Sequence, residues 1–220
     1  MKLYVNGDSH STGYDAGGIN FSYGRYIADA LGWDFVCDAT PACSNPSIIR
    51  RTVDYLERGE NPDFIIIGWS SWERETWWSA NGRPYHVTAS GLDTLPPDLH
   101  ERYKKWVIDS NEDHFQQQKE SLNHESIWAH HQRLTRLKIP HLFFNCYSYF
   151  FYTDVYKKPK YPWGDTYVDP YNHNMTYYYW LEQHGYKPSN PEYFHYGADG
   201  QKAWADFLLP KVQKLLTDKE

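Results

Sequence analysis

Ser9 lies in Gly7-Asp8-Ser9-His10-Ser11 near one end of the chain, and Glu192-Tyr193-Phe194-His195 sets a carboxylate three residues before a histidine near the other. A serine hydroxyl attacks an acyl carbon when a base within hydrogen-bond reach takes its proton and a third group orients that base. Ser9, His195 and Glu192 therefore make a complete candidate triad. Amide N–H groups of a tight glycine-containing turn are suited to meet a developing oxyanion. Each part alone is weak: Gly-Asp-Ser equally describes a strand-ending turn with Asp8 bonded to the backbone, and Glu192 equally describes a solvated loop charge. Their joint placement favours chemistry. His10, next to the nucleophile, is read as a substrate contact, although a turn histidine more often faces solvent.

The elements that would carry these residues follow from periodicity. Lys2 to Asn6 reads as a strand ended by Gly7-Asp8-Ser9, and Gly13, Gly17 and Gly18 mark a loop. Tyr23, Ile27, Ala30 and Leu31 fall on one helical face, stopped by Gly32. Trp33 to Cys37 is a second strand, and Asn45-Pro46 opens a helix with Asn45 as N-cap and Ile49, Val53 and Leu56 inward. Asp63 to Ile67 is nearly all apolar, as expected of a parallel strand covered on both faces. A long helix spans about 110–138, with Ser110 and Asp113 spaced as a capping box, and His141 to Asn145 makes a fourth strand. A last helix from about Asp199 carries Pro210 as a kink. Strands alternating with helices predict an α/β three-layer sandwich around a central parallel sheet. The chain reads as a single domain over 1–220, with aromatic or turn-rich insertions at about 76–110 and 147–192. In such a sheet, ligands bind beyond the carboxyl ends of the strands.

Composition narrows the class. The 220 residues carry net charge −6, against the basic footprint of a general nucleic-acid binder. No apolar run is long enough to span or insert into a membrane, and Met1-Lys2-Leu3-Tyr4-Val5 leads into Gly7-Asp8 with no signal-peptide core. Cys37, Cys43 and Cys146 lack metal spacing and fit free thiols, so the expectation is a cytoplasmic protein. His124, Glu125, His130 and His131 do not repeat a zinc-helix pattern, and there is no phosphate-binding glycine loop. No metal and no cofactor are expected. Aromatic residues reach 18%. Such rings pack cores, and they also serve sugar sites or subunit contacts, which leaves a homo-oligomer open.

Four short blocks in order resemble the SGNH (GDSL-type) hydrolases: Gly7-Asp8-Ser9, the Ala42-Cys43-Ser44-Asn45 turn, the apolar third strand ending at Gly68, and Phe194-His195 followed by Gly200 and Trp204-Ala205. The resemblance implies a flavodoxin-like hydrolase fold, Ser9 as nucleophile and oxyanion donor through its own N–H, and His195 as base. It puts Glu192 where the family usually has an aspartate. It puts Ala42, whose N–H serves if its φ is negative, where the family has a second-donor glycine. In the third block an asparagine is expected, and Gly68-Trp69-Ser70-Ser71 offers Ser70 instead. Loss of one preorganised donor costs on the order of 10²–10³ in rate. Asn45, otherwise a helix cap, and Ser71, otherwise a turn residue, are candidates to compensate. Trp69, Trp72 and Arg74 would overhang the crevice and bind a sugar or polar leaving group, or else pack the insertion.

The leading expectation is a serine esterase acting on O-acyl esters, with an O-acetyl group on a carbohydrate favoured over other small-molecule esters. The alternative is a weak or inactive binding or structural protein on the same scaffold, glycan-binding and of the kind carried by phages, which would place it in the virion or the host cytoplasm. Intact Ser9 and His195 favour the first; the altered third block favours the second.

Overall fold

The computed structural model describes residues 1–190 and 194–217. In chain order the elements are β1 (Lys2–Asn6), α1 (Ser9–Thr12), α2 (Tyr23–Leu31), β2 (Asp34–Cys37), α3 (Asn45–Glu57), β3 (Phe64–Trp69), β4 (Glu75–Trp78), β5 (Pro84–Val87), α4 (His100–Asp109), α5 (Asp113–Arg136), β6 (His141–Asn145), α6 (Phe151–Val155), α7 (Tyr177–Gln183), β7 (Pro188–Asn190), β8 (His195–Tyr196) and α8 (Ala198–Thr217). Short 3₁₀ turns punctuate the connections, among them Tyr14–Ala16.

The central sheet is four-stranded in the order β2-β1-β3-β6, and every pairing in it is parallel. Parallel strands need crossovers, and these cover both faces with helices. Side-chain alternation divides the core accordingly. Leu3, Val5, Phe64, Ile66, Leu142 and Phe144 pack with α2, α7 and α8, whereas Tyr4, Ile65, Ile67 and Phe143 pack with α3 and α5. Each fully buried Ile or Phe contributes roughly 1.5–3 kcal/mol through burial. No helix among the described residues is long and apolar enough to cross a membrane.

Several helix faces differ from the periodic expectation. In α2 the buried positions are Tyr23, Gly24, Ile27 and Ala28, while Ala30 is exposed. In α3 the N-cap is Ser44, and Ile48, Thr52 and Tyr55 are buried while Ile49, Val53 and Leu56 are only half-buried. A buried polar residue explains the rotation. Asn6 Nδ2 donates to the Ile48 carbonyl at 3.0 Å and the Thr52 hydroxyl at 2.9 Å, so α3 turns its polar seam toward β1.

The capping box expected at Ser110 and Asp113 is absent. Ser110 Oγ instead donates to the Val107 carbonyl, and α5 begins at Asp113 with Glu112 as N-cap. The segment around 76–110 forms the antiparallel β4–β5 hairpin and α4, closed over a small core of Trp77, Val87, Leu95, Leu99, Tyr103 and Trp106. Pro210 lies inside α8 as expected. His124 and His130 of α5 are packed into the core; burial lowers His124 to about 4, helped by Lys158, and His130 to about 3.

Candidate active site

The end of β1 turns sharply into α1, and glycines make the turn fit. A Cβ on Gly7 would stand 2.4 Å from Ser11 Oγ and 2.7 Å from the Gly68 carbonyl, and a Cβ on Gly68 would stand 2.8 Å from the same hydroxyl. The ends of β1 and β3 therefore approach as closely as backbones without side chains allow. Asp8 caps α1 by accepting from the His10 N–H at 3.0 Å, which leaves Ser9 as the first helical residue.

Ser9 is 6% exposed, and its Oγ lies 2.8 Å from His195 Nε2. The other ring nitrogen, Nδ1, lies 2.6 Å from Asp15 Oδ2. Asp15 sits in the 3₁₀ turn between Gly13 and Gly17, both in left-handed backbone. Serine, imidazole and carboxylate thus form a continuous hydrogen-bonded line. Burial lowers the His195 pKa, His10 adds to the lowering, and Asp15 opposes it, so the ring is neutral and basic at neutral pH. Glu192, expected as the orienting carboxylate, lies outside the described residues. No spacing rule marks Asp15; its signal in the sequence is an acid isolated in a glycine-rich loop six residues after the serine.

The loop after β2 is tied to this turn by the Thr40 N–H, which donates to the Gly7 carbonyl at 3.0 Å. Ala42 in that loop has φ +62°, correcting the expected negative value. Left-handed backbone costs an alanine roughly 1–2 kcal/mol. The Ala42 N–H has no acceptor among the described residues, so the strained turn still presents an open donor.

The third block is organised otherwise. Ser70 Oγ donates to Asp8 Oδ2 at 2.9 Å and accepts from Arg74 Nη1 at 2.8 Å. Its single proton is committed to Asp8, which corrects the expectation of Ser70 as an oxyanion donor. Asn45 is committed as well. Its Nδ2 donates to the Ser70 carbonyl and to Asn123 Oδ1, and its Oδ1 accepts from the Ser70 N–H. It neither caps α3 nor serves as an oxyanion donor; it ties the end of β3 to α3 and α5.

Arg74 Nη1 also reaches Asp8 Oδ2 at 2.8 Å. Burial would raise the Asp8 carboxyl, but His10 and Arg74 outweigh it and hold the group well below the usual carboxylate range. His10 is 5% exposed, with Nδ1 3.0 Å from Asp8 Oδ1 and its ring edge-on to His195 at 5.1 Å. That placement sets it against the base rather than out toward a substrate. Asp8, His10 and Cys146 bring potential metal-ligand atoms within 4.8 Å of one another. Arg74 already neutralises Asp8, and burial, then Asp8, keep the Cys146 thiol protonated, so this donor set is poorly suited to a cation.

Trp69 is fully buried between His130 and Phe143, which corrects its expected role at the crevice. Trp72 stacks on Phe150 at 4.8 Å and lines two cavities. One, of about 360 Å³, includes Arg74 in its wall; the other, of about 240 Å³, is aromatic and includes Tyr147, Tyr149, His173 and Tyr179. Tyr147 packs on Phe194, the residue before His195, at 5.8 Å. Neither cavity is lined by Ser9, His195 or Asp15; the first is linked to the Ser9 turn through the Arg74–Asp8 pair and the second to the His195 segment through the Tyr147–Phe194 contact.

No family model matches the chain, and no curated protein matches it significantly in sequence. Solved structures do match. TesA aligns over 98% of this chain and 99% of its own at TM-score 0.51 and 13% identity. The psychrotrophic esterase EstA from Pseudoalteromonas sp. aligns over 98% of both chains at TM-score 0.51 and 13% identity. The fold is that of the SGNH (GDSL-type) hydrolases. A carbohydrate esterase family 2 enzyme from Corynascus thermopiles (Myceliophthora fergusii), solved with its carbohydrate-binding domain, shares it at TM-score 0.51 and 15% identity, over 99% of this chain and 67% of that one.

Proposed function

We propose that the protein is a serine ester hydrolase acting on O-acyl groups, with O-acetylated carbohydrate as the substrate class. The observation that carries this reading is the line from Ser9 Oγ through His195 to Asp15, with separations of 2.8 and 2.6 Å. Packing alone has no need of a nearly buried serine aimed at a neutral imidazole. In the reaction, Ser9 Oγ attacks the acyl carbon while His195 Nε2 takes its proton. The carbonyl oxygen becomes an oxyanion facing the Ser9 and Ala42 N–H groups. His195 returns the proton to the departing alcohol, leaving an acyl-serine. Water then loses a proton to His195, attacks that ester and releases the acid, and the proton returns to Ser9.

The sugar half of the proposal rests on the aromatic cavity whose Tyr147 packs on Phe194, the neighbour of His195, and whose Tyr faces suit pyranose rings. The relatives in fold named as an esterase and a carbohydrate esterase accord with it. A second reading, a glycan-binding protein of little activity, is favoured by one observation: the third-block hydroxyl has no proton left for an oxyanion. Fluorophosphonate labelling followed by peptide mapping separates the two. A single adduct on Ser9, lost in His195→Ala, supports the hydrolase; folded protein that takes no label supports the binding protein.

A further inference from the structure

The 360 Å³ cavity lies within the size range of small-molecule sites, about 300–1,000 Å³, and its charge is uneven. Arg50, Arg74 and Lys119 line it, with Glu75 as the one acid in the lining. Glu75 is paired with Lys119 and lies 3.7 Å from Arg102, so that acid is already neutralised. Arg74 spends Nη1 on Asp8 and Ser70, and its Nε and Nη2 have no partner among the described residues. Arg50 forms no ion pair and no hydrogen bond among the described residues, and its side chain belongs to the cavity wall.

The rest of that wall mixes apolar Pro46, Trp72, Trp78 and Leu122 with a preorganised group of hydroxyls. Thr76 Oγ1 lies 3.0 Å from Ser44 Oγ, 2.9 Å from Ser47 Oγ and 3.2 Å from His86 Nδ1. The positive field registers on this network: burial lowers the His86 pKa, and Arg51, Arg74 and Arg50 lower it further. A guanidinium fork matches the two oxygens of a carboxylate, and a wall of hydroxyls matches the hydroxyls of a sugar ring. Arg74 in the cavity wall holds Asp8 at 2.8 Å, and Asp8 directly precedes Ser9, so one ion pair joins the cavity wall to the turn that carries the serine.

We propose that this cavity is a subsite for a carboxylate-bearing sugar, a uronate unit neighbouring the esterified one, with Arg50 as its specificity-determining residue. The catalytic half of the test rests on Ser9 as nucleophile; the binding half does not. The first measurement compares kcat/KM for O-acetylated oligogalacturonate with that for O-acetylated xylo-oligosaccharide, in the wild type and in Arg50→Gln. The acidic substrate is expected to be favoured at least about tenfold, the preference to fall about tenfold in Arg50→Gln, and rising salt to erode it. A ratio near one in the wild type, or a ratio that Arg50→Gln leaves in place, overturns the subsite. If no ester is turned over, 4-nitrophenyl acetate included, the hydrolase reading fails, and calorimetric titration of trigalacturonate onto the wild-type protein decides the subsite. Binding that Arg50→Gln weakens upholds it, and absence of binding overturns it.

Discussion

The carboxyl ends of the two inner strands, β1 and β3, lie side by side, yet they use serine in opposite ways. At the β1 end, Ser9 Oγ lies 2.8 Å from a nitrogen of a neutral imidazole. At the β3 end, Ser70 is fully buried, donates to a carboxylate and accepts from a guanidinium. One hydroxyl is poised to lose its proton and the other is locked into a charge network. Residue type and position at a strand end are therefore insufficient to assign chemistry; the partner that claims the proton decides. The locked network contributes indirectly, by fixing Asp8, and with it the cap of the helix that presents Ser9.

The largest test of this contrast is Asp15→Asn. Loss of the orienting carboxylate should lower kcat for an acetyl ester about 10²–10⁴-fold with little change in melting temperature. Glu192→Gln run beside it should cost far less, and the reverse order of effects would transfer the orienting role to Glu192. Arg74→Met comes next and should act on stability. Removing one partner of a buried ion pair costs about 3–5 kcal/mol, and the lower end is expected because Asp8 keeps its contacts with His10 and Ser70. Urea unfolding measures it, and a change under about 1 kcal/mol would show that the network is not structural.

Ser70→Ala should follow, with a loss of about 1.5–2 kcal/mol for a hydrogen bond to a charged group and a kcat within about threefold of wild type. A hundredfold fall in kcat would restore Ser70 to the oxyanion hole. The smallest effect concerns pH. A group whose pKa is depressed keeps its neutral form to lower pH, so the acid limb of kcat/KM should fall below the ordinary histidine value of 6.5. A limb above 6.5 would mean that Asp15 outweighs burial.

Much of this architecture is legible in residue order because hydrophobic burial dictates it. Asp63 to Ile67 reads as a strand covered on both faces and the strand runs Phe64–Trp69, and Gly32 marks the end of α2 in a left-handed cap. Ser9 and His195 are legible as partners through the Gly7-Asp8-Ser9 turn and the Phe194-His195 block that resemble the SGNH hydrolases, since His10 and Ser11 beside Ser9 offer the same residue types. What was not legible depends on hydrogen bonds formed across the fold. The one-residue rotation of α3 follows from the amide of Asn6, about forty positions earlier in the chain. The aperiodic segment around 76–110 hides a core whose six residues are scattered over a hairpin, turns and a helix. Asp15 meets His195 across 180 positions, and no local spacing rule reaches that far.

Phe194 has φ +58°, in backbone that a phenylalanine adopts only at a cost of about 1–2 kcal/mol. Its ring rests between Tyr147 at 5.8 Å and Tyr178 at 5.4 Å. Those contacts come from the aromatic excursion, and they hold the residue that delivers His195. For anyone reshaping this scaffold, the excursion is not ornament to be trimmed for a wider cleft: its rings are the ones Phe194 packs on, one residue before His195. The aromatic excursion and the segment bearing His195 are one transplantable part, to be grafted together or left alone.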